Sequence, residues 1–282
     1  MLKDIRETSD EQYWEDLRAR WTSLLSYRYI GRNHGALNSG PVDNTVTLRH
    51  DMRNAAGGIM VAPLCITAPE GGGFSDSFAV PNPVIQSTQI LDDARDVRRI
   101  EVVQSEVLKT GQRLGFSRSK IVDADNPDRI IAFTEGAGVS LGNVPEGFTP
   151  MDEEKIVVVD SPDLPPLHKV FGATKRADGS WALGKLTLEM ASPDAALHLG
   201  PQHILLEAAA IDLAADLVGT DLLQIESWHV MFLARGKVGP FRVDGRAVHG
   251  ASGRVGVAMT LHDEGNDDRA ITSGSAIFRR VD

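Results

Sequence analysis

The chain has 282 residues, of which 42% are hydrophobic and 24% are charged, and its formal net charge at pH 7 is −10. This composition is typical of a soluble globular protein, and no apolar stretch reaches the length of a membrane span, so we expect no membrane partner. The acidic balance argues against nonspecific nucleic-acid binding, which needs clustered Lys and Arg, but it permits a local basic patch that binds an anionic ligand.

One cysteine and the N-terminal residues indicate the compartment. Cys65 is the single cysteine, which excludes an intrachain disulfide and any multi-cysteine zinc site. The N-terminal residues are charged and lack the apolar core of a signal peptide. We therefore expect a cytoplasmic protein.

The first half of the chain predicts a helix, a strand, a buried helix and a set of strands. Residues 10–25 carry apolar side chains at helical spacing, and we expect this helix to pack on the outside of the first domain. A strand at 45–48 precedes a helix predicted over 54–66, in which Pro63 kinks the helix or shifts its start. Four strands of an antiparallel meander follow, at 84–90, 97–108, 113–123 and 129–141.

The second half repeats this order after a linker that is rich in proline and acidic residues. A hairpin of residues 170–173 and 182–190 is followed by a helix over 200–218, which has almost no polar face and must be enclosed on most sides. Four strands complete it, at 227–234, 241–249, 254–263 and 270–280. The predicted domain limits are a helical extension at 1–40, a first domain at 41–142, a linker at 143–167 and a second domain at 168–282.

The two halves are one pattern written twice, about 140 residues apart. Val107, Arg113 and Gly115 recur as Val248, Arg254 and Gly256, which is the sequence signature of an internal duplication. The apolar segment after Gly57 and Gly58 corresponds to the apolar segment after Gly200. This alignment places Cys65 opposite Glu207, so the first half keeps paired glycines and lacks the acid.

These features together resemble the hotdog fold. Within it they are most similar to acyl-CoA thioesterases of the phenylacetate-pathway (PaaI-like) type, in which His-Gly-Gly opens the helix and an acid follows nine positions after the His. Here His198-Leu199-Gly200 opens the helix and Glu207 stands nine after His198. The resemblance implies an α+β double hotdog, with two antiparallel sheets each wrapped around a central apolar helix. It also implies an acyl-CoA thioesterase that needs no cofactor beyond the coenzyme A of its substrate.

The chemistry of thioester hydrolysis explains the residue types. Backbone N–H groups at a helix N-terminus can stabilise the developing oxyanion, and glycine there lets the thioester approach. A partly desolvated carboxylate can act as general base or nucleophile. In this family each site combines the helix N-terminus of one hotdog with the acid of the other. The predicted catalytic groups are therefore Gly57, Gly58 and Asn54 with Glu207 in one site, and Gly200 and His198 with Cys65 in a second site that we expect to be inactive or repurposed.

Other assignments remain open at this point. Glu207 is alternatively an interface carboxylate paired with an Arg or His, and Cys65 is more simply a buried apolar thiol. Arg113 and Arg254 are candidates for binding the phosphates of coenzyme A, or they are solvated turn arginines. The histidines lack metal-ligand spacing, so we predict no metal. Phe74, Phe78 and Phe148 lie in predicted loops that could shape an acyl pocket.

Three functions compete. The first is acyl-CoA hydrolysis; the second is a hotdog hydratase or dehydratase acting on enoyl or 3-hydroxyacyl thioesters; the third is a noncatalytic acyl-thioester binding protein. The expected partner is a small acyl thioester rather than a nucleic acid or a membrane. Because fused hotdogs pair again, we expect a homodimer of this chain.

Overall fold

The computed structural model describes residues 2–31, 44–71, 81–140, 145 and 157–281. Within these ranges, eleven β-strands form one sheet in the order β1-β3-β4-β5-β2-β8-β11-β10-β9-β7-β6, and every pairing between them is antiparallel. The two predicted sheets are joined into one, because β2 pairs with β8 and connects the two halves edge to edge. The strands are β1 Thr45–Thr47, β2 Pro81–Ile90, β3 Arg99–Thr110, β4 Leu114–Asp123, β5 Asn126–Ser140, β6 Thr174–Lys175, β7 Trp181–Leu183, β8 Leu223–Phe232, β9 Phe241–His249, β10 Arg254–Asp263 and β11 Arg269–Arg280.

Five α-helices accompany the sheet in the described part of the chain. They are α1 Asp10–Ser23, α2 Leu25–Ile30, α3 Val61–Thr67, α4 Leu167–Val170 and α5 Leu199–Val218. None of the described helices is long and apolar enough to cross a membrane. The bounds of the predicted strands and of the long second helix are confirmed to within a few residues. The predicted four-strand meander of the first half is wrong in one respect, because β2 pairs with β5 and β8 rather than with β3, so only β3, β4 and β5 form a meander.

The sheet has an internal pseudo-twofold relation about the β2–β8 pair. Outward from this centre, β2-β5-β4-β3-β1 in the first half corresponds to β8-β11-β10-β9-β7 in the second. Ser87 of β2 lies opposite His229 of β8, and its Oγ is 2.6 Å from Nδ1 of that histidine. Because residues opposite each other share a face, Gln86 and Trp228 point to the buried side that α3 and α5 cover.

The first central helix is shorter than predicted and begins later. It starts at Val61 rather than near Asn54, so Pro63 is its third residue and lies in the first turn, where a missing N–H costs no hydrogen bond. The expected shift of the helix start is thus confirmed. Gly57 and Gly58 lie in the turn before the helix, not at its opening residues. With seven residues, α3 is far shorter than the 20-residue α5.

The hairpin predicted before α5 is only partly present. Thr174–Lys175 pairs with Trp181–Leu183 across the predicted turn, but residues 167–170 form α4 and residues 188–190 form a 3-10 turn. The strand ends at Leu183, and Gly184 and Lys185 lie outside the sheet. Of the predicted linker, the structure describes residue 145 and residues 157–167, and the domain limits remain predictions.

The N-terminal extension contacts both halves, whereas we predicted an external helix on the first. Helix α1 ends at Ser23, and α2 begins at Leu25; Leu24 between them and Tyr27 and Ile30 of α2 are buried in the core of the first half. The N–H of Ile5 donates to the carbonyl of Pro193 in the second half at 3.0 Å. The extension therefore ties the first core to the loop that precedes α5.

At the start of the two central helices, the structure aligns the two halves differently from the sequence alignment of Gly58 with Gly200. The bridge between Arg53 and Ile59 corresponds to the bridge between Ala191 and Leu197. The N–H of Met60 donates to the carbonyl of Met52, and the N–H of His198 donates to the carbonyl of Met190 in the same way. Met60 therefore corresponds to His198, and Cys65 corresponds to His203 rather than to Glu207.

Candidate active site

Glu207 lies at the junction of the two central helices. Its Oε1 accepts a hydrogen bond from the N–H of Val61 at 2.7 Å, and its Oε2 accepts one from the N–H of Ala62 at 2.8 Å. These N–H groups belong to the first turn of α3 and have no partner within that helix. The side chain of one half therefore meets the helix N-terminus of the other, which is the arrangement expected for a hotdog site.

Burial makes Glu207 a carboxyl group that titrates near neutrality. The residue is 1% exposed, and desolvation raises its pKa to about 7, although the two backbone hydrogen bonds act in the opposite direction. The carboxyl is therefore present in both protonation states at neutral pH. A group with this property can accept and return a proton within one reaction cycle.

The predicted partners of Glu207 in the first half support α3 without bonding to the carboxylate. The N–H of Gly58 donates to Oδ1 of Asn54 at 3.0 Å, and Nδ2 of Asn54 donates to Oε1 of Gln224 at 2.7 Å. A Cβ added at Gly58 would lie 2.0 Å from Oε1 of Gln224, so a larger residue there would displace the amide that Asn54 binds. Gly57 has a φ of +80°, which glycine adopts without strain.

The N-terminus of α5 is occupied by a residue of the N-terminal extension. His198 caps this helix, with its Nδ1 3.3 Å from the N–H of Gly200 and 2.9 Å from Oγ of Ser26. A Cβ added at Gly200 would lie 2.3 Å from Cβ of Ser26. Residues His198 and Gly200 thus bind α2, and Ser26 was not identified from the sequence because it lies far from the repeat.

Cys65 is a buried thiol beside Thr88 rather than a nucleophile. Its Sγ lies 3.4 Å from Oγ1 of Thr88, and burial raises the pKa of the thiol to about 12. The thiolate needed for nucleophilic attack is therefore scarce at neutral pH. The simpler interpretation of Cys65 is confirmed.

A buried network that the sequence did not reveal connects α5 to the other end of α3. Nε1 of Trp228 donates to Nδ1 of His203 at 3.1 Å, and Nε2 of His203 lies 3.2 Å from Oε1 of Gln86. Nε2 of Gln86 donates to the carbonyls of Cys65 and Ala68. Burial lowers the pKa of His203 to about 3, so the ring is neutral and its Nε2 carries the proton. In the sequence, the one indication of a functional or structural role for His203 is that it lies one helical turn before Glu207, on the same face of α5.

The two arginines proposed for coenzyme A lie in different parts of the sheet. Arg254 begins β10 and its Nε donates to Glu226 at 2.6 Å, while Arg113 is exposed in the turn between β3 and β4. The structure therefore does not bring them together. Within the described residues, no group of three or more His, Cys, Asp or Glu is arranged to hold a metal ion. The three loop phenylalanines at 74, 78 and 148 lie outside the described residues.

The raised pKa of Glu207 predicts a specific dependence of stability on pH. Between the ordinary pKa of 4.5 and about 7, the folded protein binds a proton that the unfolded chain has lost. The contribution of this proton to the free energy of unfolding is therefore complete below pH 4.5, the ordinary pKa. It falls by about 3 kcal/mol as the pH rises through the folded-state pKa of about 7. Urea unfolding at about pH 5 and about pH 8 measures the difference in the free energy of unfolding between the wild type and Glu207→Gln. A wild-type-minus-variant difference that does not decrease with pH would contradict the assignment.

The comparisons with known proteins identify the fold. No protein-family model matches the chain, and no curated protein matches its sequence. The tesB protein of Mycobacterium avium subsp. paratuberculosis is similar in structure, with a TM-score of 0.54 at 12% identity over 86% of this chain and 96% of that one. A proposed oleoyl thioesterase of Lactobacillus plantarum gives 0.54 at 13% identity over 84% and 95%. A protein of Alicyclobacillus acidocaldarius with a hot dog fold gives 0.51 at 10% identity over 84% and 92%. The antiparallel sheet with its central helix α5 thus has the hotdog fold.

Proposed function

We propose that this protein is a tandem double-hotdog thioesterase that hydrolyses acyl-CoA. The observation that carries the proposal is Glu207, a fully buried carboxyl group with a pKa of about 7 that lies on the N–H groups of Val61 and Ala62. A carboxyl group in such a position is costly unless it serves a purpose, because ionisation is penalised by burial. Its pKa suits a general base at neutral pH.

In the proposed reaction Glu207 exchanges its backbone partners for a water molecule when the substrate binds. The carboxylate removes a proton from water, whose oxygen attacks the thioester carbonyl carbon, and the carbonyl oxygen becomes an oxyanion. The N–H groups of Val61 and Ala62 then stabilise the oxyanion in place of the carboxylate. The carbon–sulfur bond breaks, and the thiolate takes the proton back from Glu207, which gives the free thiol and the carboxylic acid.

The likeness to solved structures supports this proposal through the activities for which those proteins are named. One neighbour is named a tesB protein and another a proposed oleoyl thioesterase, and each likeness spans both halves of this chain. The pseudo-twofold order of the sheet agrees with a tandem of two hotdogs. The PaaI-like subtype, the homodimer and the cytoplasmic location remain predictions.

Thiol release from a panel of acyl-CoA substrates with short, long and aryl acyl groups tests the proposed function. We expect hydrolysis of at least one substrate by the wild-type protein, and the best substrate identifies the acyl pocket. Absence of thiol release from every substrate would overturn the proposal.

A noncatalytic acyl-thioester binding protein is the second candidate, and one observation favours it. Both oxygens of Glu207 already accept backbone hydrogen bonds, so the residue also acts as a cap for the short helix α3. This function predicts saturable binding of an acyl-CoA without thiol release. The hydratase alternative gains no support, because His203 is held by Trp228 and Gln86, and His198 by Ser26.

A further inference from the structure

The α3 turn, residues 54–59, leads into the helix whose first N–H groups are the proposed oxyanion donors. Two backbone hydrogen bonds of 2.9 Å close it, from the N–H of Asn54 to the carbonyl of Gly58 and from the N–H of Gly57 to the carbonyl of Asn54. Helix α3 begins at Val61, three residues after Gly58. The direction of the donors on α3 therefore depends on what holds this turn in place.

Gln224 of β8 holds both ends of the α3 turn from the second half of the chain. Its Oε1 accepts a hydrogen bond from Nδ2 of Asn54 at 2.7 Å, and its Nε2 donates to the carbonyl of Ile59 at 3.3 Å. The amide also lies against the backbone of the turn, since a Cβ added at Gly58 would lie 2.0 Å from its Oε1. One side chain thus connects β8 to the first and the last residue of the turn.

The amide of Gln224 occupies a position that suits an apolar side chain. The residue is 1% exposed, and its chain neighbours Leu223 and Ile225 belong to the hydrophobic core. Burial of a polar group is unfavourable unless its hydrogen bonds are satisfied. Nε2 makes a further bond of 3.3 Å to the carbonyl of Ile225, so the bonds of this amide go to its own strand and to the α3 turn. Contact with the turn therefore compensates much of the burial of Gln224.

The second half contains a matching turn with a different support. In this α5 turn, residues 192–197, the N–H of Ser192 donates to the carbonyl of Ala196 at 2.8 Å, which repeats a bond that closes the α3 turn. The carbonyl of Leu197, the counterpart of Ile59, accepts a hydrogen bond from Nε2 of Gln202 at 2.8 Å. Gln202 is 3% exposed and is a residue of α5, so this turn is held by its own helix. The two glutamines share residue type, burial and kind of bond, and they differ in which helix start they support.

We propose that Gln224 is a positioning residue of the proposed hydrolysis, which holds the α3 turn so that the N–H groups of Val61 and Ala62 point at the thioester oxygen. The inference rests on the proposed function, because it assigns a task within that reaction. The second half then supplies both the carboxylate of Glu207 and the side chain that directs the donors. Hydrogen bonds to the oxyanion act in the transition state, so a misdirected donor lowers kcat and leaves KM unchanged.

Steady-state kinetics of Gln224→Met and Gln202→Met with the best acyl-CoA test this role. Methionine keeps the length of glutamine and lacks its amide donor and acceptor. We expect Gln224→Met to lower kcat about tenfold at unchanged KM, which is less than the loss of an entire oxyanion donor. Gln202→Met removes a comparable buried bond on the α5 turn, whose helix start is occupied by Ser26, and should keep the wild-type constants. Unfolding midpoints should decrease to a similar extent in both variants, so a lower kcat in Gln224→Met alone is not a general loss of stability.

Asn54→Ala breaks the same contact from the other side, at a position that is only partly buried. It also removes the acceptor for the N–H of Gly58, so we expect kcat to fall by at least about tenfold. If both residues act through one turn, the double variant should lose no more than about the larger single loss. A loss equal to the product of the two single losses would contradict a shared action on the turn. This variant also tests the turn if Gln224→Met does not fold.

The ionisation of Glu207 provides a readout that needs no catalysis. Burial raises the pKa of Glu207 to about 7, and the two backbone donors on α3 act in the opposite direction. Cys65 and His203 do not titrate in this range, since the pKa of the thiol is about 12 and that of the imidazole is about 3. Infrared titration of the Glu207 carboxyl should therefore give a higher pKa in Gln224→Met and the wild-type pKa in Gln202→Met.

The two readouts separate this inference from the proposed function. Wild-type kcat in Gln224→Met, equal decreases of kcat in the two methionine variants, or a pKa of Glu207 that Gln224→Met leaves unchanged would each overturn the positioning role. A wild type that releases no thiol from any acyl-CoA would overturn the thioesterase instead. A higher pKa of Glu207 in Gln224→Met would in that case still show that Gln224 holds the donors on α3.

Discussion

Glu207→Gln is expected to lower kcat/KM for the best acyl-CoA by at least about 100-fold, which is the contribution typical of a general base. The amide cannot accept a proton from water. It has one acceptor oxygen for the N–H groups of Val61 and Ala62, so its NH2 group opposes the second donor. The measurement is the initial rate of thiol release at saturating and limiting substrate.

Glu70→Gln is the matched control for this substitution. Glu70 is also a buried carboxyl group near α3, and its Oε1 accepts a hydrogen bond from Oγ1 of Thr134 at 2.6 Å. It has no part in the proposed reaction, so we expect wild-type rates from a variant that folds. Equal losses in the two variants, or full activity in Glu207→Gln, would exclude Glu207 as the base.

The second large effect is expected from His203→Leu, which should lower the free energy of unfolding by about 3 kcal/mol. Leucine leaves the indole N–H of Trp228 and Oε1 of Gln86 without their partner in the core. Each buried polar group that loses its hydrogen bond costs about 1 to 3 kcal/mol. Because Gln86 also binds the carbonyls of Cys65 and Ala68, the end of α3 should become less protected. Urea unfolding measures the loss, and hydrogen exchange measures the protection.

His229→Leu provides the comparison for His203→Leu. His229 also makes a side-chain hydrogen bond, to Ser87, but it lies on the open face of the sheet and is partly exposed. Water can replace that bond, so the loss should stay below about 1 kcal/mol. If both variants lose the same stability, burial of the His203 network is not what stabilises the junction of α3 and α5.

Local pattern was enough to predict most of the fold. The meander strands and α5 have clear periodicity, and their bounds agree with the structure within a few residues. The start of α3 was misplaced because Gly57 and Gly58 precede a turn that bonds to Gln224, a contact that only the folded chain creates. The β2–β8 pairing that joins the two predicted sheets connects strands about 140 residues apart, so no local pattern indicates that these two strands meet.

The candidate site was predicted in part. Glu207 stood out because a lone acid in an apolar helix requires an explanation, and the structure places it at a helix N-terminus of the other half. Its partners were predicted as glycines, because the repeat was aligned on them, and they are the N–H groups of Val61 and Ala62. Backbone donors carry no residue type, so the sequence offered no means to find them. Ser26 and Gln86 were missed because each acts through a contact that is distant along the chain.

The pH dependence of kcat/KM for the best acyl-CoA tests the role of Glu207 most directly, because this constant reports the ionisation of the free protein. We predict a rate that is constant above about pH 8 and decreases tenfold per pH unit well below the pKa of about 7. A rate that stays constant from about pH 8 down to about pH 5, on a protein shown to remain folded, would contradict the assignment of Glu207 as the catalytic base.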